Sequence, residues 1–303
     1  MRELQNIGIA VMVRRGMRRH SGRACKCAVL LAVASLVGCE AVQAVLTSDR
    51  RPTASVRGVQ LGDLSLDNAQ LLFDVELTNP YSVPLPLLDV GYTLSSGGNQ
   101  FIAGQVDVGG TIPANSSKRI ALPAAVEFAE LLSVLKHIKP GAVVPYTAKM
   151  EFGAEAPVIG RIGVPLTKRG ELPVPSVPQV ELTSVQWESL TLSEASAVLS
   201  LQIHNTNDFP FDLQELRYDL ALGGKQVASS SIAEATGFTR GGEQTLEIPI
   251  SFSPSSLGLG ILNLLRGDDG GYEMTGSMDL TTPFGSISMP FDHSGRAAFG
   301  HSD

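Results

Sequence analysis

The side chains that could carry chemistry are few and scattered along this sequence of 303 residues. Asp268-Asp269-Gly270-Gly271 lacks the alternating aspartates and terminal glutamate of a calcium loop, so the segment favours a solvated turn. No glycine-rich phosphate loop and no Gly-x-Ser-x-Gly turn is present. Four histidines follow the first forty residues without near neighbours in the spacing of a metal site or a catalytic triad: His137, His204, His293 and His301. We therefore expect no catalytic residues, no metal site and no cofactor.

One cysteine stands where covalent modification is expected. The tetrapeptide Leu36-Val37-Gly38-Cys39 closes an apolar run that begins at Ala28. Basic residues precede this run, among them Arg14, Arg15, Arg18, Arg19, Arg23 and Lys26. A basic segment followed by about ten apolar residues is typical of a secretory signal, whereas a bilayer span needs about twenty. The tetrapeptide resembles the lipobox of bacterial lipoproteins. This resemblance implies cleavage before Cys39 and a diacylglycerol on its thiol.

Cleavage there would divide the N-terminal region into a signal peptide, 1–38, and a tether, 39–52. We expect the protein to reach the membrane through lipid at Cys39, on the periplasmic face or the cell surface, and at the outer membrane if the host has two membranes. Seven of the 23 basic and one of the 30 acidic residues lie in the leader, so the remainder has a formal net charge of −13. Because basic patches supply most of the affinity for nucleic acid, we expect no such partner.

An internal repeat is the strongest structural signal in the sequence. Residues of the first half recur in the second at a constant offset of 126, beginning with Asn79 and Asn205. The further pairs are Pro84/Pro210, Leu87/Leu213, Tyr92/Tyr218, Leu94/Leu220, Gly97/Gly223, Gly98/Gly224, Pro123/Pro249 and Tyr146/Tyr272. A shared offset over most of both halves predicts two homologous domains, 53–167 and 178–293. The segment 168–177 and its C-terminal flank contain three prolines and are predicted to form a semi-rigid linker. Residues 294–303 are predicted to form a frayed tail.

Each half is predicted to be mainly β. Apolar residues alternate with polar ones over 71–78 and 197–204, which is typical of strands with one buried face. The paired glycines at 97–98 and 223–224 mark hairpin turns. A helical spacing of apolar residues appears once in each half, at Phe128, Leu131, Leu132 and Leu135 and at Leu257, Ile261, Leu264 and Leu265. The sequence therefore predicts two tandem antiparallel β-sandwiches, each with one short helix.

The segment Val-Glu-Leu-Thr-Asn-Pro at 75–80 resembles the WHy domain of the late-embryogenesis-abundant type 2 family, which centres on an Asn-Pro-Asn motif at the end of a strand. The first half reads Asn79-Pro80-Tyr81 and the second Asn205-Thr206-Asn207, so each half keeps two of the three residues. The later prolines, Pro84 and Pro210, strengthen the match. The resemblance implies fibronectin- or immunoglobulin-like sandwiches, a role in desiccation or another stress, and no catalytic site.

The motif asparagines can also be interpreted from their hydrogen-bonding chemistry, without the family resemblance. An asparagine at a strand end can bond the backbone two residues further on, which forms an Asx-turn. We therefore interpret Asn79, Asn205 and Asn207 as structural, with a ligand contact as the alternative. Pro84 and Pro210 are expected to stiffen the turn and to stop the edge from extending.

Two functional hypotheses follow from these observations. The first is a lipid-anchored, non-catalytic envelope protein that acts in stress tolerance through its folded surface. The second is an envelope binding or assembly adaptor that presents an edge or groove of its paired sandwiches to a protein partner or an apolar ligand.

Overall fold

The computed structural model describes residues 51–156, 159–233, 235–257, 265–267 and 269–301. The predicted signal peptide, Cys39 and nearly all of the predicted tether lie outside the described residues. The described chain is mostly β-strand, arranged in multiple antiparallel sheets, so the predicted fold class is confirmed. Within the described residues, no helix is long and apolar enough to span a membrane.

The first domain is built from two facing layers. Its elements are β1 (Thr53–Gly62), β2 (Asn68–Asn79), β3 (Leu85–Ser96), β4 (Asn99–Asp107), β5 (Thr111–Ile112), β6 (Ser116–Glu127), α1 (Phe128–Val134), β7 (Val143–Ala156) and β8 (Gly160–Pro173). One layer has the strand order β1-β2-β6 and the other β4-β3-β7-β8, with the short β5 paired to β3. Alternate residues of β2 enter the core between the layers, where Phe73 and Val75 are fully buried.

The second domain repeats this order. Its strands are β9 (Gln179–Leu190), β10 (Ala195–His204), β11 (Phe211–Leu222), β12 (Lys225–Ile232), β13 (Thr236–Phe238), β14 (Glu243–Phe252), β15 (Asp269–Thr282) and β16 (Gly285–His301). They form one continuous sheet of order β12-β11-β15-β16-β9-β10-β14, with β13 paired to β11. Residues 298–301 of β16 run parallel to residues 184–187 of β9, and this pairing joins the two layers along one edge.

The predicted helix of the first half is confirmed as α1, in which Phe128 and Leu131 are buried. In the second half, a 3₁₀ turn at Pro254–Leu257 occupies the start of the predicted helix. Residues 258–264 of that prediction lie outside the described residues. The predicted hairpin turns are present at the paired glycines. Gly97, Gly98, Gly223 and Gly224 all have positive φ, which glycine adopts without steric cost.

Two segments that were expected to lie outside the domains form strands. The segment 168–173 was expected to belong to a linker, but it completes β8 and pairs with Val143–Ala148 of β7. The segment 294–301 was expected to be a tail, but it pairs with β15 and then with β9. Both segments bury apolar side chains that solvent would otherwise reach, among them Leu172 and Phe299. Both domains therefore end in a longer last strand than the sequence indicated.

Candidate functional site

The Asn79 side chain closes the turn between β2 and β3 and is fully buried. Its Oδ1 accepts a hydrogen bond from the amide of Tyr81 at 3.0 Å, which is the geometry of an Asx-turn. Its Nδ2 donates to the carbonyl oxygens of Val83 at 2.8 Å, Pro113 at 3.1 Å and Ile112 at 3.3 Å. One side chain thus ties the strand end to two loops.

Asn205 makes an equivalent set of bonds in the second domain. Its Oδ1 accepts from the amide of Asn207 at 2.9 Å, and its Nδ2 donates to the carbonyl oxygens of Phe209 at 2.8 Å and Thr239 at 3.0 Å. Asn205 is also fully buried. Because all of these partners are backbone groups of the same domain, each asparagine stabilises the fold of the domain to which it belongs.

The motif prolines lie beside these turns. Pro80 follows Asn79 and is half-buried, whereas Pro84 and Pro210 are exposed. Pro84 directly precedes β3 and Pro210 directly precedes β11, so each proline stands one residue before a strand. A proline has no amide hydrogen and fixes φ near −65°, so these residues limit where the strand can begin.

Asn207 differs from its repeat partner Tyr81 because it binds outside its own domain. Its Oδ1 accepts from the amide of Ser176 at 2.8 Å, and its Nδ2 donates to the carbonyl oxygen of the same residue at 2.9 Å. Ser176 belongs to the segment 174–178 between β8 and β9. The family motif of the second domain thus fixes the connection to the first.

The joint between the domains has a second hydrogen-bonded contact. The carbonyl oxygen of Gly141, in the loop before β7, accepts from the amide of Asp208 at 2.7 Å. Gly141 has a φ of +92°, and a Cβ there would lie 2.6 Å from the carbonyl oxygen of Thr206. Only glycine fits this approach. Leu64 and Leu66, from the β1–β2 turn, also pack against the core of the second domain.

The outer face of the first domain carries a polar cluster that the sequence analysis missed. Asp89 accepts two hydrogen bonds from Arg161, at 2.7 and 2.9 Å, and one from Gln105 at 3.1 Å. The Arg161 hydrogen bonds hold the pKa of Asp89 below its ordinary value of 3.8, against the opposing effect of burial. Arg161 reaches Asp89 across Gly153, where a Cβ would lie 2.5 Å from the carboxylate. The small residue at 153 was the only signal of this contact in the sequence.

A groove of about 880 Å³ opens between the two layers of the first domain, beside the joint. Apolar residues of β1 and β2, namely Val59, Leu61 and Leu71, line one side, and Lys168 and Arg169 of β8 line the other. Tyr146 contributes to the lining, and burial raises the pKa of its hydroxyl, which is therefore neutral near pH 7. Phe284, at the β15–β16 turn of the second domain, also lines the groove.

Within the described ranges, no group of three or more His, Cys, Asp or Glu side chains is placed to hold a metal ion. Cys39, the predicted lipidation site, lies outside these ranges. Trp187 is buried in the second core, between the rings of Phe252 and Phe299 at centroid distances of 6.1 and 6.0 Å.

Comparison with known proteins gives the same duplicated arrangement. The family model LEA_2, described as late embryogenesis abundant protein, matches residues 74–170 and again residues 200–295. A "Desiccation protectant protein Lea14 homolog" from Glycine max is 30% identical over 132 residues, which is 44% of this chain and 87% of the relative. A "Probable desiccation-related protein LEA14" from Arabidopsis thaliana is 26% identical over 43% of this chain and 87% of the relative.

A solution structure from Arabidopsis thaliana is 25% identical, with a TM-score of 0.36, over 43% of this chain and 86% of its own. The family model is matched twice over more than half of the sequence, and each match contains one of the paired strand-end asparagines, Asn79 or Asn205. The chain therefore belongs to the late embryogenesis abundant protein family LEA_2, with two tandem domains of this type.

Proposed function

We propose that this protein is a lipid-anchored, non-catalytic envelope protein that protects other proteins during desiccation or a related stress. The observation that carries the proposal is the duplication of a family domain that is similar to proteins named for desiccation. Each copy has its own hydrophobic core and its own asparagine-closed turn. Such folded surfaces can act in proportion to their amount without a turnover step.

The anchor is supported by the order of the N-terminal residues. Basic residues, a short apolar run and Leu36-Val37-Gly38-Cys39 follow one another as in a lipoprotein leader. A single acyl chain binds a membrane only marginally, whereas the two or three chains of a processed lipoprotein hold firmly. We infer that the lipid holds the paired domains at the periplasmic face of a membrane or at the cell surface. In a host with two membranes, we infer that this membrane is the outer one.

A drying assay tests the protective role. The full chain carrying Cys39→Ala is mixed with a test enzyme, dried and rehydrated, and the recovered activity is measured against the amount of protein added. Albumin at equal mass is the control, because any protein can fill space during drying. We expect better recovery than albumin gives, increasing with the dose. Recovery no better than with albumin, together with tight capture of one envelope protein, would favour the adaptor hypothesis.

Metabolic labelling with a fatty-acid probe tests the anchor separately. The wild-type chain should be labelled and cleaved, and Cys39→Ala should be neither, because the thiol that accepts the lipid is gone. Cys25→Ala is the matched control, since it removes a thiol from the same leader and should leave the labelling unchanged. Equal labelling of wild type and Cys39→Ala would place the anchor elsewhere.

A further inference from the structure

The turn between the first two strands has the same hydrogen bonds in both domains. In the first domain, Ser65 Oγ accepts from the amide of Asn68 at 3.0 Å, and the Ser65 amide donates to the Asn68 carbonyl oxygen at 2.9 Å. In the second, Thr191 and Glu194 make the same two bonds at 3.0 and 2.8 Å. These residues are repeat partners at the offset of 126, so the duplication preserves the shape of this turn.

Each turn carries two leucines, and the two pairs differ in their surroundings. Leu64 and Leu66 of the first turn pack against the core of the second domain, and Leu66 is not part of the core of its own domain. Their repeat partners are Leu190 and Leu192. Leu190 packs on its own core, whereas Leu192 belongs to neither core and is 53% exposed. A single exposed leucine is ordinary, but the counterpart of this one makes a contact between domains.

The glycine of the joint also has a counterpart in the second domain. The carbonyl oxygen of Gly141 accepts from the amide of Asp208, and the repeat partner of Gly141 is Gly267. Gly141 lies two residues before β7, and Gly267 lies two residues before β15. The second domain thus carries both features with which the first domain contacts it, a leucine turn and a glycine before the same strand.

The surface that receives these features exists twice as well. Asn79 and Asn205 close their turns with the same pattern of hydrogen bonds. At the offset of 126, Ser82 is the counterpart of Asp208, whose amide is used in the joint. Ser82 is exposed, and among the described residues no oxygen accepts a hydrogen bond from its amide. The turn of the first domain therefore keeps a free donor where its counterpart has a bound one.

The two surfaces without a partner lie at opposite ends of the two-domain chain. β9 begins at Gln179, beside the joint, and ends at Leu190. β2 begins at Asn68, beside the joint, and ends at Asn79. Each strand has 12 residues and spans about 40 Å, so the 190–194 turn and the 80–82 turn are both a full domain length from the joint. A second copy can reach either turn without disturbing the joint.

We propose that the 190–194 turn of one chain docks on the 80–82 turn of a second copy, in the way that the 64–68 turn docks on the second domain within each chain. Leu192 would pack beside the Asn79 turn of the second copy, and the carbonyl oxygen of Gly267 would accept from the Ser82 amide. The two surfaces differ, so the contact is heterologous and repeats in an open row. The partner is a second copy because the equivalent surfaces already contact each other within the chain. This inference does not depend on the proposed protective role.

The contact between copies should be weaker than the joint within a chain. The joint has a covalent connection, and a short connection supplies an effective concentration of about 1 mM. It also has the bonds of Asn207 to Ser176, and Tyr81 at the equivalent position of the first domain has no side-chain amide. We therefore expect copies to associate at about 0.1–1 mM.

Sedimentation velocity tests the proposal on the full chain carrying Cys39→Ala, which is the parent, in density-matched mild detergent with a reducing agent. The mean mass of the parent should increase beyond that of a dimer as its concentration approaches about 1 mM. Leu192→Asp should abolish the increase, because it places a charge where the leucine docks. Val106→Asp is the matched control, since it makes the same kind of change at a valine that is 39% exposed and pairs with Val90 in the middle of β3.

A second pair of variants tests the receiving turn. Ser82→Pro removes the amide hydrogen and should abolish the increase in mass, whereas Ser82→Ala keeps this hydrogen and should associate as the parent does. Mixing then tests the head-to-tail arrangement. Leu192→Asp keeps the 80–82 turn and Ser82→Pro keeps the 190–194 turn, so their equimolar mixture has one intact pair of surfaces. It should form dimers and nothing larger.

A capping measurement needs no change at Ser82. Leu192→Asp can receive a copy but cannot dock on one, so its addition in excess should lower the mean mass of assemblies that contain a fixed amount of fluorescent parent. Thermal unfolding checks that each variant is folded. Four results would overturn the proposal: a parent that stays monomeric at about 1 mM, a parent that stops at a dimer, undiminished association of folded Leu192→Asp, or parent assemblies that excess Leu192→Asp does not shorten.

Discussion

The side-chain amide of Asn207 pairs with the peptide group of Ser176 through two hydrogen bonds, at 2.8 and 2.9 Å. The amide thereby imitates a backbone partner, so the connecting segment is bonded as if it ran beside another strand. Val174 and Pro175 of that segment are buried. Two domains connected in this way are expected to keep a fixed relative orientation, unlike domains on an exposed linker.

Asn207→Ala should loosen this joint. The peptide group of Ser176 loses both partners, and we expect thermolysin to cleave within 174–178 severalfold faster than in the wild type. Asp208→Ala is the control, because it removes only an exposed ion pair with Arg240, which contributes little to stability. Equal cleavage of Asn207→Ala and wild type would mean that packing alone holds the domains.

Gly141→Ala should disturb the same joint from the other side. The substitution forces a residue with a Cβ to a φ of +92° and places that carbon 2.6 Å from the carbonyl oxygen of Thr206. Gly98→Ala is the control, because it introduces similar backbone strain at a φ of +85° but its Cβ meets open space. It should lower the free energy of unfolding by about 1–2 kcal/mol. We expect a larger loss for Gly141→Ala in urea unfolding. Equal losses would show that the loop can move away from Thr206.

Asn79→Ala should lower the stability of the first domain by about 1–3 kcal/mol, because it leaves buried backbone groups without partners. Asn205→Ala should do the same to the second domain. Chemical denaturation measures both, and Ser82→Ala, an exposed change in the same turn, should stay within about 0.5 kcal/mol of wild type. Unchanged stability combined with loss of a binding partner would make these residues a recognition site.

Asp89 should contribute to the acid sensitivity of the first domain. Its pKa is depressed in the folded protein by Arg161, so its stabilising effect is present above the ordinary value of 3.8 and is lost as the pH falls through the lower folded value. Below about pH 4, the melting temperature of the wild type should therefore fall more steeply with decreasing pH than that of Asp89→Asn. Parallel curves for the two proteins would contradict the assignment.

Phe299→Ala should expose the only tryptophan of the chain. The Phe299 ring meets Trp187 edge-on at 6.0 Å, and both side chains are buried. We expect a red shift of tryptophan emission and a loss of about 3–5 kcal/mol, as for other buried phenylalanines. Phe284→Ala, whose ring packs on Phe209 instead, should leave the emission unchanged. An unshifted spectrum for Phe299→Ala would mean that β16 does not cover this core.

Much of the fold followed from the sequence because the repeat and the alternation of apolar residues are local signals. The strand extensions at 168–173 and 294–301 were missed because charged residues, glycine and proline resemble linker or tail composition. A further match would have revealed them: Gly170 and Gly295 recur at an offset of 125, opposite Tyr146 and Tyr272 on the paired strands. A Cβ at Gly170 would lie 2.5 Å from the Tyr146 hydroxyl, so the glycine makes room for the ring.

The different edges of the two domains could not be predicted in the same way. Val59 and Val185 are identical residues at equivalent positions, yet only Val185 is fully buried. The difference lies in a distant part of the chain: residues 298–301 pair with the strand of Val185, whereas among the described strands only β2 pairs with the strand of Val59. Burial of an edge strand is decided by a neighbour that local periodicity does not identify.

The double pairing of β16 has a consequence for the C-terminus. Chain ends usually open first and exchange their amide hydrogens with solvent fastest. Residue 298 is instead paired on both sides, with Asp269 of β15 and with Ser184 of β9. The amides near this end are therefore expected to exchange only when the whole second domain opens, so the last strand reports the global stability of that domain.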